Sequence, residues 1–141
     1  MNSRTPTKAE RIYLEAAKIA VGCVACNKLN YENDYLPEYL AIHHSTDKGS
    51  KAPLAHFFGV PICGVHHQGV VPSGMKLPKG EPVRHSPLGS HEKVFKEKVG
   101  SDLELVRFVW SKLSLDAIDA IGEITGIYSF DDLLKIDSGQ G

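Results

Sequence analysis

Two pairs of cysteine and histidine residues have the spacing of metal ligands. Cys23 and Cys26 are separated by two residues, and Cys63 and His66 repeat that spacing further along the chain. Thiolate and imidazole groups are the usual ligands of a tetrahedral structural zinc, and these four residues fill all of its positions. The alternative is a redox-active Cys23–Cys26 pair with Cys63 as a small buried side chain. Because the βαβ context of a thioredoxin-like motif is absent, the pattern favours a closed structural Zn²⁺ site.

The histidines are concentrated in the middle of the chain, with all seven between residues 43 and 91. The predicted zinc site uses one of them. His43 and His44 are adjacent at the end of a β-prone run, where the alternation of side chains along a strand sends them to opposite sides. One of the two can bind a metal while the other acts as a base, since the unperturbed pKa of histidine is about 6.5.

An N-terminal helix is predicted to support the first cysteine pair. Thr7 and Glu10 have the spacing of a capping box, and the residues after them predict a helix to about residue 20. Gly22 ends this helix and leads the chain into the cysteine pair. The apolar periodicity predicts four residues on the face toward the core: Ile12, Ala16, Ile19 and Ala20.

Two short strands are predicted to flank the histidine pair. The runs at 39–42 and 57–62 are β-prone, and the first leads directly into the two histidines. Pro61 indicates an edge position, because proline cannot donate a hydrogen bond to a neighbouring strand. Residues 68–87 predict a long loop rich in glycine, proline and lysine, and loops of that length are often functional.

The last third of the chain is predicted to be helical. Ser90 caps a short helix that ends at Gly100, and Ser101 or Asp102 caps the next helix. LDAIDAIGEI and FDDLLKI are the further helical stretches. Four apolar residues after position 101 are expected to pack on the core, with docking to a partner or to a second copy of the chain as the alternative: Leu103, Val106, Val109 and Trp110.

Four segments, taken in order, resemble the phage recombination-enhancement (Ref-type) branch of the HNH nucleases. They are GCVAC, AIHHST, FFGVPICGVHHQG and SPLGSHEKVFKEKVGSD, and the similarity runs from about residue 10 to about residue 105. The resemblance implies an α+β fold: a small zinc-stapled ββα-metal (HNH) core with an N-terminal helix and a C-terminal helical extension. The expected organisation is this core at 1–100 and an acidic helical extension at 101–141.

The resemblance also implies a role for each histidine that matches the family's motif. His44 is the expected general base that activates water, and His43 is the first ligand of a catalytic divalent metal. His67 and His91 are the further ligands of that metal, which is Mg²⁺ or Mn²⁺, with Zn²⁺ as a third option. The roles of His66 and His67 can be exchanged, so the sequence leaves open which of them binds the structural zinc.

The sequence departs from the family's pattern at one position. Many HNH motifs have an asparagine that holds the catalytic loop, but here no asparagine follows Asn33. His56 occupies the stretch where that asparagine is expected. It is either a substitute that orients the loop by hydrogen bonding or a partly exposed loop residue. His85 is predicted to be an ordinary surface residue.

The charge is distributed unevenly along the chain, although the net charge is only −1. Residues 1–100 have 13 Lys and Arg against 9 Asp and Glu, whereas residues 101–141 have 3 against 8. A phosphate-binding face is therefore plausible in the first part, opposed by an acidic tail. Five basic residues on the loops are predicted to contact phosphates, unless they are simply solvated side chains: Lys48, Lys51, Lys76, Lys79 and Arg84.

Together with these residues, the resemblance implies a metal-dependent endonuclease that hydrolyses DNA in phage or prophage recombination. DNA is the expected substrate, and the resemblance implies a RecA-type recombinase filament as a partner. The rival interpretations are a non-catalytic zinc module that binds nucleic acid or protein, and a structural protein with a second closed zinc site. The sequence has no transmembrane run and no secretion signal, so a cytoplasmic location is expected. It does not indicate an oligomeric state.

Overall fold

The computed structural model describes residues 5–44, 54–71, 73–85 and 89–139. These ranges contain helices and one two-stranded sheet, so the predicted α+β class is confirmed. The strands are β1 (Ala41–His44) and β2 (Gly59–Ile62). The helices are α1 (Lys8–Val21), α2 (Val24–Leu29), α3 (Gly64–Gln68), α4 (Gly89–Lys98), α5 (Asp102–Lys112), α6 (Leu115–Thr125) and α7 (Phe130–Asp137). Within the described ranges, no helix is both long enough and apolar enough to span a bilayer.

The sheet is an antiparallel pair followed directly by a short helix. His43 lies opposite Val60 and His44 lies opposite Gly59. Because α3 starts two residues after β2, the chain runs strand, strand, helix, as the predicted ββα core requires. Among the described residues, β2 has a single neighbour in the sheet, so Pro61 occupies the edge position that the sequence predicted.

Both strands begin two residues later than the sequence predicted. Pro37–Tyr39 and Ala55–Phe58 form 3₁₀ turns, and the strands start only after them. Phe57 and Phe58 are apolar and β-prone, but both are almost fully buried in the second turn. Burial in the core therefore outweighs their intrinsic preference for strand. β1 correspondingly extends through His43 and His44, so that both histidines are part of the strand.

Helix α1 begins at the predicted capping box. The Thr7 hydroxyl accepts a hydrogen bond from the Glu10 amide at 3.2 Å, and the Glu10 carboxylate accepts one from the Thr7 amide at 2.9 Å. The helix is followed by Gly22, whose φ of 68° favours glycine. The Asn33 side chain stabilises this turn, because it accepts from the Cys23 amide at 2.8 Å and donates to the Val21 carbonyl at 2.7 Å.

The buried face of α1 differs from the predicted face. Ile12 and Ala16 pack against the core, but Ile19 is 80% exposed and Ala20 is also exposed, so half of the prediction is wrong. Apart from Glu10, the fully buried residues of α1 follow each other at four-residue steps instead: Ala9, Tyr13, Ala17 and Val21. The apolar periodicity alone did not identify this face because its centre is a tyrosine. Its hydroxyl donates to the Gly59 carbonyl at 2.8 Å, which satisfies the buried polar atom.

The C-terminal helices pack on α1 and on the sheet. α6 and α5 both contact α1, and α5 also contacts β2. Trp110 stacks on Tyr13 with 5.0 Å between ring centroids, and its indole N–H donates to the Phe57 carbonyl at 3.0 Å. Val106 and Val109 are buried as predicted, whereas Leu103 is 40% exposed and that prediction is wrong. The division of the chain at residue 100 stays a prediction.

Candidate metal centres and active site

The two predicted half-sites meet in the interior. The ligand atoms of Cys23, Cys26, Cys63 and His66 all lie within 4.8 Å of one another, and all four residues are buried. The Cys26 and Cys63 sulfurs are 4.0 Å apart, and His66 Nδ1 lies 3.4 Å and 3.2 Å from them. We refer to these four residues as the Cys₃His group.

The local folding of the two half-sites is the same. Cys23 is the residue before α2 and Cys63 is the residue before α3, so each stands at a helix start. Cys26 and His66 are three residues further, one helical turn into each helix. A residue and the third one after it lie on one helical face, so both members of each pair point to the same place. The Cys23 sulfur also accepts hydrogen bonds from the backbone amides of Cys26 and Cys63, at 3.4 Å and 3.2 Å.

The donor set fits a structural zinc. Hydrogen bonds from Cys23 and Cys26 lower the pKa of Cys63, whereas hydrogen bonds with Cys23 and Cys63 and burial raise that of Cys26. Three thiols this close cannot all ionise without a cation between them. Burial acts to lower the pKa of His66, but hydrogen bonds with the thiols outweigh it and raise this pKa to about 10. The cysteines therefore favour a positive charge beside them. Zn²⁺ would supply that charge, and three thiolates with one imidazole are a common structural ligand set.

Glu81 orients the histidine of the Cys₃His group. Its carboxylate lies 2.7 Å from His66 Nε2, on the side of the ring away from the sulfurs. A carboxylate on the far nitrogen of a zinc-binding histidine sets the tautomer and the ring orientation. The sequence left open whether His66 or His67 joins the cysteines. In the structure it is His66 that lies with them.

A second group is formed by His43, His67 and His85, whose ring nitrogens lie within 4.8 Å of one another. His43 comes from β1, His67 from α3 and His85 from the loop before α4. The His43 Nδ1 atom lies 3.1 Å from the His85 Nε2 atom. Two imidazoles that share a metal at about 2.1 Å have their nitrogens about 3 Å apart, so the geometry fits a divalent cation. We refer to these residues as the His₃ group.

The surroundings of His67 and His85 favour neutral imidazoles. Burial, followed by the charges of His43 and His85, lowers the pKa of His67 to about 4. The pKa of His85 is also lowered, by burial and then by His43 and Arg84. A neutral imidazole has a lone pair for a metal ion, whereas a protonated one does not. His67 and His85 are therefore available as ligands at neutral pH.

His44 lies on the other side of β1 from His43, as strand alternation predicted. It is half-buried, and its Nε2 atom lies 3.0 Å from Nδ1 of the buried His56. The His56 backbone amide donates to the Glu10 carboxylate at 3.1 Å. Burial, followed by the charges of His56 and His43, lowers the pKa of His44 and keeps its ring in the basic form at neutral pH. Of the two interpretations of His56, the hydrogen-bonding one agrees with its position.

Of the other predicted site residues, those that the structure describes belong to neither group. His91 is buried in α4, and its Nδ1 atom bonds the Glu81 carbonyl at 2.7 Å, so its role as a metal ligand stays a prediction. Arg84 is buried and bonded to Asp102 and Glu92, which argues against a contact to phosphate. Lys76 and Lys79 are exposed, as a phosphate-binding role requires. Lys48 and Lys51 lie outside the described residues.

Three residues that belong to these groups or contact them were not anticipated from the sequence. His85 was predicted to be ordinary surface, and although it is exposed, it belongs to the His₃ group. Glu81 and Asp102 are ordinary acidic residues in the sequence, and Asp102 has the position of a helix cap. His85 contacts His43, Glu81 contacts His66, and Asp102 contacts His43. These pairs are 42, 15 and 59 positions apart in the chain. No local motif marks such pairs. The concentration of histidines in the middle of the chain was the one feature of the sequence that pointed to any of these three residues, and it applied to His85 alone.

Fold and site together define a small α+β protein with a Cys₃His group that could hold a structural zinc and a second, histidine-only group. The chain matches a family model described as "Recombination enhancement, RecA-dependent nuclease" over residues 6–114, which include both groups. It therefore belongs to the family of recombination-enhancement, RecA-dependent nucleases. The resemblance to Ref-type nucleases is confirmed, and the activity that the family's description names is that of a nuclease in recombination.

Proposed function

We propose that this protein is a metal-dependent endonuclease of the HNH type that hydrolyses phosphodiester bonds in DNA. The observation that carries the proposal is the convergence of the His₃ group on a strand–strand–helix unit, with His44 on the neighbouring position of β1. A non-catalytic zinc module would require only the Cys₃His group. The second group and the paired His44 and His56 have no role in such a module.

The two metals have different roles in this proposal. The Cys₃His group holds a structural Zn²⁺, since its four protein ligands leave no position open for a substrate. The His₃ group holds the catalytic metal, which is Mg²⁺ or Mn²⁺, with Zn²⁺ as a third option. Three ligands leave open positions, through which a divalent cation would stabilise the negative charge that develops on the leaving 3′ oxygen.

His44 is the general base of the proposed reaction. When its Nε2–H donates to His56 Nδ1, the lone pair of its own Nδ1 atom can accept a proton from the attacking water. The lowered pKa keeps His44 unprotonated before the reaction starts. A positioned base of this kind contributes about 10²- to 10⁴-fold in rate. His56, held in turn through its backbone by Glu10, positions that base.

His43 and His67 are retained as ligands from the sequence prediction, and we propose His85 as the third ligand in place of His91. His85 Nε2 lies next to His43 Nδ1, whereas the His91 ring bonds the Glu81 carbonyl. Binding of Co²⁺ to protein already loaded with zinc, followed by visible absorption, distinguishes the two residues. His85→Ala is expected to lose this Co²⁺ and His91→Ala to retain it. The opposite pattern would restore His91 as the ligand.

DNA is the proposed substrate, in phage or prophage recombination, and a RecA-type recombinase filament is the proposed partner. The family's description names dependence on RecA, and this supports the filament as the context in which the nuclease acts. Lys76 and Lys79 are exposed on the loop between α3 and α4, where they can neutralise phosphates without reading bases. The acidic C-terminal helices would repel DNA and so oppose the attraction of these lysines. DNA binding would therefore be favoured only where another surface adds attraction.

The decisive experiment measures cleavage of supercoiled and single-stranded DNA by wild type and His44→Ala. It is run with Mg²⁺ or Mn²⁺, with EDTA, and with and without recombinase filaments. Wild type is expected to cut only with metal, and the variant at least about 100-fold more slowly, because it lacks the base. Metal content and thermal unfolding of the variant should match those of wild type, since His44 is not a proposed ligand.

Four outcomes would contradict the proposal or one of its residue assignments. Cutting that survives in His44→Ala at the wild-type rate means that another group is the base. Cutting that persists in EDTA excludes the proposed metal dependence. If neither protein cuts under any condition, including on filaments, the chain is a zinc module without this catalytic activity. A loss of metal from His44→Ala would identify His44 as a ligand.

A further inference from the structure

The buried carboxylate of Asp102 contacts the back of the His₃ group. Asp102 is the first residue of α5, and its Oδ1 atom lies 3.0 Å from His43 Nε2. The other ring nitrogen of His43, Nδ1, faces His85 at 3.1 Å. The His43 ring is 3% exposed, so its two nitrogens have protein neighbours on opposite sides. One side is a carboxylate and the other is the proposed metal site.

Arg84 holds this carboxylate in a bidentate pair. Its Nε atom donates to Asp102 Oδ1 at 3.0 Å and its Nη2 atom donates to Oδ2 at 3.2 Å. Its Nη1 atom donates to Glu92 at 3.1 Å, so a second carboxylate also holds the planar guanidinium in place. Planar pairs of this kind combine charge with geometric specificity. The Asp102 carboxylate is thus held in one orientation against the guanidinium, in a buried environment.

We propose that Asp102 is a positioning residue for the catalytic metal: it holds His43 with the proton on Nε2, so that the Nδ1 lone pair points into the His₃ group. Arg84 supports it by holding the carboxylate in place. An imidazole has one proton for its two nitrogens, and a carboxylate acceptor on Nε2 determines where that proton lies. This inference rests on the proposed metal site, and it makes the first turn of α5 part of that site.

The test compares two variants in the first turn of the same helix. Asp102→Asn removes the charge behind His43, and Glu104→Gln removes one charge from an exposed side chain that only caps the helix. Protein loaded with zinc is titrated with Co²⁺, and visible absorption measures its affinity for the second site. Asp102→Asn is expected to bind Co²⁺ about 10- to 100-fold more weakly than wild type, the usual effect of losing such a partner. Glu104→Gln is expected to bind as wild type does.

A second measurement does not depend on any variant. Long-range ¹H–¹⁵N spectra of wild type without the second metal identify the tautomer of each histidine, and His43 is expected to have its proton on Nε2. A proton on Nδ1 would overturn the inference, even if Asp102→Asn failed to fold. Affinity of folded Asp102→Asn within twofold of wild type would also overturn it. If wild type binds no Co²⁺, the proposed metal site fails, while the tautomer still decides whether Asp102 orients His43.

Discussion

His66 and His67 are neighbours in the sequence and belong to different groups. Successive residues of a helix point about 100° apart, so α3 sends one ring to the cysteines and the other to His43. The loop before α4 keeps both in place. Its Arg84 amide donates to the His66 carbonyl at 2.7 Å, and its His85 amide donates to the His67 carbonyl at 2.8 Å. A one-residue shift in this region would therefore disturb both groups at once.

The contact between Glu81 and His66 can be tested through zinc affinity. Glu81→Gln keeps an acceptor for His66 Nε2–H but removes the charge, so zinc is expected to bind about tenfold more weakly. Competition with a chromophoric chelator measures that affinity. Glu97→Gln, an exposed residue of α4, is the control and should leave it unchanged. Equal affinities for all three proteins would mean that Glu81 does not tune the site.

Helix α6 packs against α1, and this packing is expected to contribute to the stability of the fold. Two of the isoleucines of α6, Ile121 and Ile124, lie about one turn apart, yet Ile121 is fully buried and Ile124 is 52% exposed. Their side chains are identical, so the difference in burial should alone decide the effect of truncating each. Packing of this kind is what holds the C-terminal helices on the rest of the molecule.

We expect Ile121→Ala to lower the free energy of unfolding by about 2–5 kcal/mol, because it leaves a cavity in a packed core. Ile124→Ala should change it by less than about 0.5 kcal/mol, as is usual for surface positions. Urea unfolding of the zinc-loaded proteins, followed by circular dichroism, measures both. If the two variants lose similar stability, α6 does not pack on α1 in solution as described.

At the scale of the whole molecule, the Cys₃His group joins two distant parts of the chain. Cys23 and Cys26 follow α1, whereas Cys63 and His66 follow β2, and the two half-sites share one interior position. A metal at that position links the N-terminal helices to the strand–strand–helix unit. Because the ligands come together only in the folded chain, the free energy of metal binding adds to that of folding.

Removal of the zinc is therefore expected to destabilise the entire fold. Cys26→Ala should bind less than one zinc per chain and should unfold at a markedly lower temperature than wild type, by differential scanning calorimetry. Wild type treated with a strong chelator should show the same loss and should recover when Zn²⁺ is added back. Cys26→Ala should not recover. An unfolding temperature that is insensitive to the chelator would contradict a structural role for the metal.

Local sequence patterns determined most of the helices and the pairing of the candidate metal ligands. The capping box at Thr7 and Glu10 and the cap at Ser101 are local hydrogen bonds between residues three apart, so the sequence predicts them directly. The same holds for Cys23 with Cys26 and for Cys63 with His66, because their spacing puts each pair on one helical face. The charge asymmetry and the concentration of histidines are also properties of the sequence alone.

Only the tertiary structure decided which residues complete the groups. His85, Glu81 and Asp102 reach their partners through the folding of distant segments, and no short-range pattern encodes those meetings. The same holds for the buried face of α1, where Tyr13 is tolerated because the Gly59 carbonyl accepts its hydroxyl. Arg84 shows the difference most directly. A loop arginine is expected in solvent, yet the carboxylates of Asp102 and Glu92 offset the cost of burying its charge.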